Sequence, residues 1–266
     1  MTQLTLTKHH GLGNDFLVVF DPQVSDAPAL ARRLCDRRRG VGADGLLVGE
    51  SEPGYAARMV LYNADGSRAE MSGNGIRCFA QALAARRGDL EPQRILTDAG
   101  ERLVTLWQGT TTDEIEAAVD MGAVDTIDAP SDWHLVGADL MRPVSHLSVG
   151  NPHSVVGVDD VMAVDLLAIG AIVPEVNVEI IELGPEMHAI TMRVHERGAG
   201  ITEACGTGAC ASAWAAVAWG LVPADVPEIL VHMDGGDAKV LLHQPVAGRV
   251  TLVGPAVFIA TITVTV

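Results

Sequence analysis

Short strand-like runs of hydrophobic residues dominate this chain, and only a few segments show the spacing of a helix. Runs rich in β-branched and aromatic residues, or alternating between apolar and polar residues, are typical of strands. They predict strands over residues 1–7, 16–20, 46–48, 58–62, 102–107, 176–183, 188–195, 228–233, 239–243, 249–253 and 257–266. Helical spacing predicts a helix over residues 28–39, ended by Gly40. Strands therefore outnumber helices.

Two further helices are predicted directly after glycine-rich turns, over residues 76–87 and 209–219. The second is rich in alanine and apolar on every side, which is typical of a helix buried all round. The simplest packing for such a helix is a sheet that curls around it. The uncharged stretch 204–224 contains glycines and a proline, so it predicts this buried helix and its exit rather than a membrane span.

The chain repeats one motif at half its length. Residues 70–75 read Glu-Met-Ser-Gly-Asn-Gly and residues 203–208 read Glu-Ala-Cys-Gly-Thr-Gly, so Ser72 and Cys205 are 133 positions apart in a chain of 266. Further pairs keep the same order: Gly13-Asn14 with Gly150-Asn151, and Asn63 with Glu196, each nine residues before position 72 or 205. The repeat predicts two domains, with a boundary in the polar stretch 109–114.

Composition and charge narrow the possible partners and the compartment. Nearly half of the residues (48%) are hydrophobic, and the formal net charge is −16, from 34 acidic and 18 basic side chains. Such a charge disfavours nucleic acid and anionic membranes as partners. Four cysteines form no Cys-x-x-Cys pair, and the first residues resemble a strand rather than a signal segment. We therefore expect a cytoplasmic protein with reduced thiols.

Each Gly-x-Gly stands at the start of a predicted helix, where unpaired backbone N–H groups and the helix dipole favour an anion. Two such starts suit a carboxylate, and a cysteine at such a place is expected to have a lowered pKa. A hydroxyl and a thiol on opposite faces of one carbon suggest that a proton leaves one face and returns to the other. That reaction inverts a stereocentre, and the N–H donors would stabilise the charge that builds on an amino-acid carboxylate.

Three other residues are candidates for the same chemistry. His153 and Glu196 are placed to tune or relay protons, and the guanidinium of Arg197 suits a bidentate grip on a carboxylate. Lys8 and Lys239 are the only lysines, and neither lies in a motif, so no pyridoxal attachment is evident. We expect no cofactor and no metal site.

Together these residues resemble the diaminopimelate epimerase family. The resemblance covers most of the chain and rests on residues 10–16, 42–45, 63–67, 73–78, 150–153, 196–200 and 204–210. It implies an α+β fold of two pseudo-symmetric domains, residues 1–113 plus 255–266 and residues 114–254. Each domain is expected to be a curled, mostly antiparallel, barrel-like sheet around a central apolar helix.

The resemblance also implies a reaction and a set of site residues. The family interconverts LL- and meso-diaminopimelate without a cofactor, by proton transfer at the α-carbon. Cys205 matches one catalytic cysteine, and His153 and Glu196 match positions thought to adjust the catalytic groups. Substrate contacts are implied for Asn14, Asn63, Gly73, Asn74, Asn151, Asn177, Glu196, Arg197, Gly206 and Thr207.

Ser72 departs from the family pattern, because it stands where the family has its other catalytic cysteine. A serine hydroxyl is a far weaker acid than a thiol and needs an adjacent base to act. Three interpretations stay open at this point. The serine is an engineered change, or it is natural and the reaction is retained at some cost. Alternatively, it signals a changed reaction, such as one-sided proton removal or elimination.

Two other functions on the same fold remain as alternatives. One is a proline or hydroxyproline racemase or dehydratase, although Asn74 stands where that branch tends to have histidine. The other is a catalytically impaired protein that binds an amino acid. Gly45 and Ala260 also depart from the family, at a substrate contact and at an aromatic residue used for dimerisation. A small-molecule substrate is therefore expected, and a homodimer is left open.

Overall fold

The structure, a computed structural model, describes residues 3–22, 26–137 and 142–265. Residues 1, 2 and 266, which belong to the first and last predicted strands, lie outside the described residues. The chain divides into two compact units. Unit 1 comprises Met1–Val119 and Gly254–Val266, and unit 2 comprises Asp120–Val253.

Unit 1 is a ring of paired strands. Its elements are β1 (Gln3–Gly11), β2 (Asn14–Phe20), α1 (Ala27–Cys35), β3 (Gly45–Glu50), β4 (Ala57–Asn63), β5 (Arg68–Ala69), α2 (Gly73–Arg87), β6 (Gln93–Thr97), β7 (Gly100–Gln108), the first part of β8 (Glu114–Ala123) and the last part of β17 (Arg249–Thr265). The pairs β2–β3 and β4–β6 are parallel, whereas β1–β2, β3–β4, β6–β7 and β7–β8 are antiparallel. Strand β17 pairs with both β8 and β1, which closes the ring.

Unit 2 repeats this topology. Its elements are β9 (Asp125–Thr126), β10 (Val144–Ser148), β11 (Pro152–Gly157), α3 (Leu166–Ile172), β12 (Asn177–Leu183), β13 (Ala189–Glu196), β14 (Gly200–Thr202), α4 (Gly206–Ala218), β15 (Ile229–Met233), β16 (Gly236–Leu242) and the remaining parts of β8 and β17. The pairs β11–β12 and β13–β15 are parallel, and β10–β11, β12–β13, β15–β16 and β16–β17 are antiparallel. The predicted α+β fold of two similar curled sheets is confirmed.

A helix occupies the interior of each ring. Helix α2 packs against β1, β2, β3, β4 and β7, and α4 packs against β10, β11, β12, β13, β15 and β16. Helix α4 is apolar, as predicted, but α2 also buries polar side chains. One of them, Gln81, bonds to His9 Nδ1 at 2.8 Å and donates to the carbonyl of Asp113 at 2.7 Å. Within the described residues, no helix is long and apolar enough to span a bilayer.

The helix boundaries differ from the predicted ones for local reasons. Helix α1 ends at Cys35 rather than at residue 39, because the Asp36 carboxylate accepts the N–H groups of Arg38 and Arg39 and stabilises a turn. Helices α2 and α4 each begin one turn earlier than predicted, at the first glycine of the motif. Helix α3 was not predicted, since its seven residues are too few to show a helical period.

Candidate active site

The side chains of Ser72 and Cys205 cap the two interior helices. Ser72 is the N-cap of α2, and its Oγ accepts the N–H of Gly75 at 3.0 Å. Cys205 is the N-cap of α4, and its Sγ accepts the N–H of Gly208 at 3.4 Å. Both caps have an extended backbone, with φ of −141° and −130°. The two positions are therefore structural counterparts, one a hydroxyl and the other a thiol.

In unit 2, three predicted site residues lie in one row across neighbouring strands. His153 on β11 pairs in register with Asn177 on β12. Val178 pairs with His195, so Asn177 lies opposite Glu196, the last residue of β13. The Asn177 Oδ1 accepts the N–H of Arg197 at 2.9 Å, which holds the turn after β13. The Arg197 side chain is exposed.

A chain of hydrogen bonds runs from this row to the start of α4. The Nδ1 of His153 lies 2.6 Å from Oε1 of Glu179, and its Nε2 lies 3.0 Å from Oδ1 of Asn151. The Nδ2 of Asn151 donates to Oγ1 of Thr207 at 3.3 Å, and that oxygen lies 3.5 Å from the sulfur of Cys205. His153 and Glu179 are fully buried. The structure thus connects four predicted residues in one chain, which ends at a residue that was not predicted, Glu179.

The thiol of Cys205 lies among carboxyl groups. Burial raises its pKa well above the usual value, and the charges of Glu196 and Glu179 raise it further, against the hydrogen bonds from Thr207 and Gly208. The expectation of a lowered pKa is therefore wrong, because burial and acidic neighbours outweigh the helix start. Burial also raises the pKa of Glu196, although hydrogen bonds from Thr202 and Cys205 favour its carboxylate form. In the free protein, Cys205 rests as a thiol beside a carboxyl group.

Unit 1 has the same row with different chemistry. Phe16 pairs with Gly45, and Gly45 pairs with Asn63, so these residues match His153, Asn177 and Glu196. By the same registers, the buried Leu47 on β3 matches Glu179 on β12. The Nδ2 of Asn63 donates to Oγ of Ser67 at 3.0 Å in the turn that follows β4. The titratable groups of unit 2 therefore have apolar or neutral counterparts in unit 1.

Charged groups hold the amides at the start of α2. The guanidinium of Arg77, which is fully buried, donates to the carbonyl of Gly73 at 3.2 Å and to Oδ1 of Asn74 at 2.9 Å. Asn74 donates in turn to Oδ1 of Asn14 at 3.2 Å, and Asn14 donates to Asp44 at 2.8 Å. Arg77 is able only to donate and the Asp44 carboxylate only to accept, so these two residues fix the direction of the hydrogen bonds between them. The predicted residues Gly73, Asn74 and Asn14 are thus brought together beside Ser72.

Sequence reasoning missed the residues that support the site in each unit. Asp44 accepts from Asn14 and is itself paired with Arg37 at 2.7 Å. Glu179 carried a usable signal, because it is the one charged residue in the otherwise neutral run 176–181. For Arg77, only the tertiary structure shows that the side chain is buried. Of the remaining predicted contacts, Gly206 is the buried first residue of α4.

Comparison with known proteins assigns the chain to a family. The sequence model of the diaminopimelate epimerase family matches residues 6–127 and 145–259. The chain belongs to the diaminopimelate epimerase family. A diaminopimelate epimerase from Thermosynechococcus vestitus is 38% identical, over 95% of this chain and 96% of the relative. One from Synechococcus elongatus is 39% identical, over 96% of this chain and 95% of the relative.

Solved structures with much lower sequence identity to this chain share its fold. A Bacillus anthracis phenazine biosynthesis protein of the PhzF family has a TM-score of 0.78 and 16% identity, with all of both chains covered. A hydroxyproline epimerase from Agrobacterium vitis, with bound trans-4-hydroxy-L-proline, has a TM-score of 0.71 and 17% identity. That match covers 99% of this chain and 91% of the other. The sequence identity therefore separates this chain from its structural neighbours and places it with the diaminopimelate epimerases.

Proposed function

We propose that this chain is a cofactor-independent epimerase that interconverts LL- and meso-diaminopimelate by proton transfer at the α-carbon. Family membership over nearly the whole chain supports diaminopimelate as the substrate. The observation that carries the reaction is the thiol of Cys205 at the start of α4, beside the carboxyl of Glu196. Proton abstraction needs a base at this sulfur, and Glu196 is placed to accept its proton.

The helix starts supply the electrostatic stabilisation in this proposal. As the α-proton leaves, negative charge builds on the substrate carboxylate. The backbone N–H groups at residues 73, 74, 206 and 207 lie at the positive ends of the two helix dipoles and are suited to stabilise that charge. Substrate contacts by Asn14, Asn63, Asn151, Asn177 and Arg197 belong to the same proposal, by their match to the family.

Ser72 serves the opposite face of the α-carbon in this proposal, directly or through a bound water. Its hydroxyl is a poor proton source, and the residues that match Glu196, His153 and Glu179 in unit 1 are Asn63, Phe16 and Leu47. This lack of titratable counterparts favours one second candidate. In it, the chain exchanges the α-proton on the Cys205 face and inverts the carbon slowly.

Incubation with LL-diaminopimelate in deuterated water tests both candidates. We expect deuterium at the α-carbon of meso product for the epimerase. For one-sided exchange we expect deuterium mainly in recovered LL substrate, with meso product forming much more slowly than the label is incorporated. Cys205→Ala should lower either rate by roughly 10²–10⁴-fold, since it removes the proton-transfer group. Cys78→Ala is the matched control, because Cys78 is buried within α2, away from the cap. No exchange by the unmodified protein would refute the proposal.

A further inference from the structure

Glu179 is an acidic residue in the interior of unit 2 that lies outside the sequence motifs. Its side chain is fully buried, and its Oε1 lies 2.6 Å from Nδ1 of His153. Its Oε2 has no hydrogen-bond partner within the described part of the chain. Leaving a buried oxygen unpaired is energetically costly. Unit 1 has the apolar Leu47 at the matching position, so the shared topology does not require a carboxyl group there. The carboxyl of Glu179 therefore needs a functional explanation.

The direction of each hydrogen bond around Glu179 follows from the atoms involved. The Oδ1 of Asn151 is a carbonyl oxygen and only accepts, so Nε2 of His153 carries the hydrogen between them. One further proton lies between Nδ1 of His153 and Oε1 of Glu179. The amide of Asn151 donates to Thr207 Oγ1, which leaves the hydroxyl hydrogen of Thr207 to point at the sulfur of Cys205.

We propose that Glu179 is a positioning residue. It keeps the Nε2–H group of His153 donating to Oδ1 of Asn151, so that the Asn151 amide donates to Thr207 and the Thr207 hydroxyl hydrogen points to the sulfur of Cys205. The assignment rests on the proposed function only in taking Cys205 as the reacting thiol. Each proton in this chain of hydrogen bonds stays on its own donor atom, and no covalent bond forms or breaks. The sulfur then has two donors, the Thr207 hydroxyl and the Gly208 N–H.

The matching chain in unit 1 runs in the opposite direction. There the residue after the first glycine, Asn74, donates to Asn14 rather than accepting from it. Ser72, like Cys205, accepts the backbone N–H of its own helix, but Asn74 directs its amide hydrogen to Asn14 and away from Ser72. Donation towards the cap is specific to the unit that contains Glu179 and His153.

Two substitutions at position 179 separate the hydrogen bond from the charge. Glu179→Gln and Glu179→Leu both remove the carboxylate. The glutamine amide donates to Nδ1 of His153 and preserves the direction of the chain, whereas leucine makes no hydrogen bond. Any difference between the two variants therefore reports the hydrogen-bond chain. Glu182→Gln is the control on the same strand, since Glu182 accepts the N–H of Val161 at 2.7 Å, away from this chain.

The measurement is the pH dependence of Cys205 alkylation by iodoacetamide without substrate, followed by mass spectrometry of the Cys205 peptide. The titratable side chains that act on Cys205 are Glu196 and Glu179, and His153 acts on Glu196. We expect the alkylation midpoint of Glu179→Leu to lie at least about one pH unit above that of Glu179→Gln, because in Glu179→Leu the Cys205 thiolate loses the Thr207 hydroxyl as a donor. Glu182→Gln should match the unmodified protein.

Thr207→Val provides the second arm of the experiment. When each Glu179 variant also carries Thr207→Val, the difference between their alkylation midpoints should vanish, because the side-chain donor to the sulfur is already gone. Thr207→Val alone should raise the midpoint, which keeps the test valid if Glu179→Leu does not fold. Equal midpoints for the two variants, or a difference that persists in the Thr207→Val background, would overturn the proposal. Alkylation needs no substrate, so failure of the diaminopimelate assay would leave this result intact.

Discussion

Single residues decide what each helix start is able to do. The caps Ser72 and Cys205 have the same backbone geometry and each accepts one N–H from its own helix. Their chemistry differs because the sulfur lies beside Glu196 and is linked by hydrogen bonds to a buried His153–Glu179 pair. The titratable side chains His153, Glu179 and Glu196 of unit 2 therefore have Phe16, Leu47 and Asn63 as their counterparts in unit 1.

Ser72→Cys tests whether the hydroxyl limits the proposed epimerisation. A thiol is the stronger acid, so we expect the rate to rise at least tenfold, or about 1.4 kcal/mol in the barrier. The assay is conversion of LL- to meso-diaminopimelate. In the matched variant Ser72→Ala, conversion should fall, while α-deuterium exchange at the Cys205 face persists. An unchanged rate in Ser72→Cys would mean that proton delivery by the hydroxyl is not limiting.

Glu196→Gln tests the carboxyl beside the thiol. Burial raises the pKa of Glu196 above its ordinary value of 4.5, so the carboxylate form, and with it kcat/KM, should increase as pH rises through that raised value. The variant should lose this acid limb and at least roughly 10²-fold in kcat/KM. Glu203→Gln changes the exposed first residue of the same motif and serves as control. An acid limb that survives in Glu196→Gln would assign it to another group.

The same pKa shift makes a prediction for stability. A carboxyl whose pKa is raised on folding binds its proton more readily in the folded state, so stability falls as pH rises from 4.5 through the raised value. Glu196→Gln should therefore raise the melting temperature at pH 7, and this gain should shrink below pH 4. Calorimetry at the two pH values measures it, and an equal effect at both would contradict the sign.

At the scale of elements, strand register places the site residues in rows. The motif glycines bring each helix start close to its row. A Cβ on Gly208 would lie 2.5 Å from Oε1 of Glu179, whereas a Cβ on Gly75 would lie 3.1 Å from Cβ of Ser72 and 3.4 Å from the Phe16 ring. The second glycine of the motif therefore leaves room for a carboxylate in unit 2 and for an aromatic ring in unit 1.

Gly208→Ala and Gly75→Ala form a matched pair that tests this difference. We expect Gly208→Ala to destabilise the protein by about 1–3 kcal/mol through overpacking, and to displace the Glu179 carboxyl. Gly75→Ala should cost less, because its neighbours need to move only slightly. Urea unfolding of both variants gives the comparison. A larger loss for Gly75→Ala would contradict the packing found around the two glycines.

Much of the element pattern was predictable, and the exceptions have physical causes. The alternating run 188–195 and the alanine-rich run after Cys205 gave β13 and α4, because one strand face or a whole helix surface is apolar there. The position of Glu196 next to Asn177 was not predictable, since it depends on the pairing of β12 with β13. Glu179 was missed because a charged residue inside a strand usually faces solvent.

For the whole molecule, one topology is used twice and strand β17 contributes to both copies. Its residues 250–253 pair with β16 of unit 2, and its residues 257–265 pair with β1 of unit 1. Leu252 is fully buried in the first part, and Ile262 packs on the core of unit 1 in the second. Each unit should therefore respond separately to damage in its own part of β17.

Leu252→Ala and Ile262→Ala test this and serve as controls for each other. Leu252→Ala should cost about 2–5 kcal/mol, since it opens a cavity in a fully buried site, and Ile262→Ala should cost less. In hydrogen exchange followed by mass spectrometry, we expect Leu252→Ala to lower protection mainly in residues 120–253. Ile262→Ala should act mainly on residues 3–119. Equal losses in both units for both variants would show that they unfold as one.

The sequence by itself determined the duplication, the two helix starts and the family, because motif spacing and local periodicity are properties of neighbouring residues. It placed Ser72 against Cys205 in the repeat, a hydroxyl against a thiol. The tertiary structure decided which groups surround each cap. Burial and the carboxyls of Glu196 and Glu179 reverse the expected pKa shift of Cys205. Such surroundings depend on strand register, which brings together residues far apart in the chain.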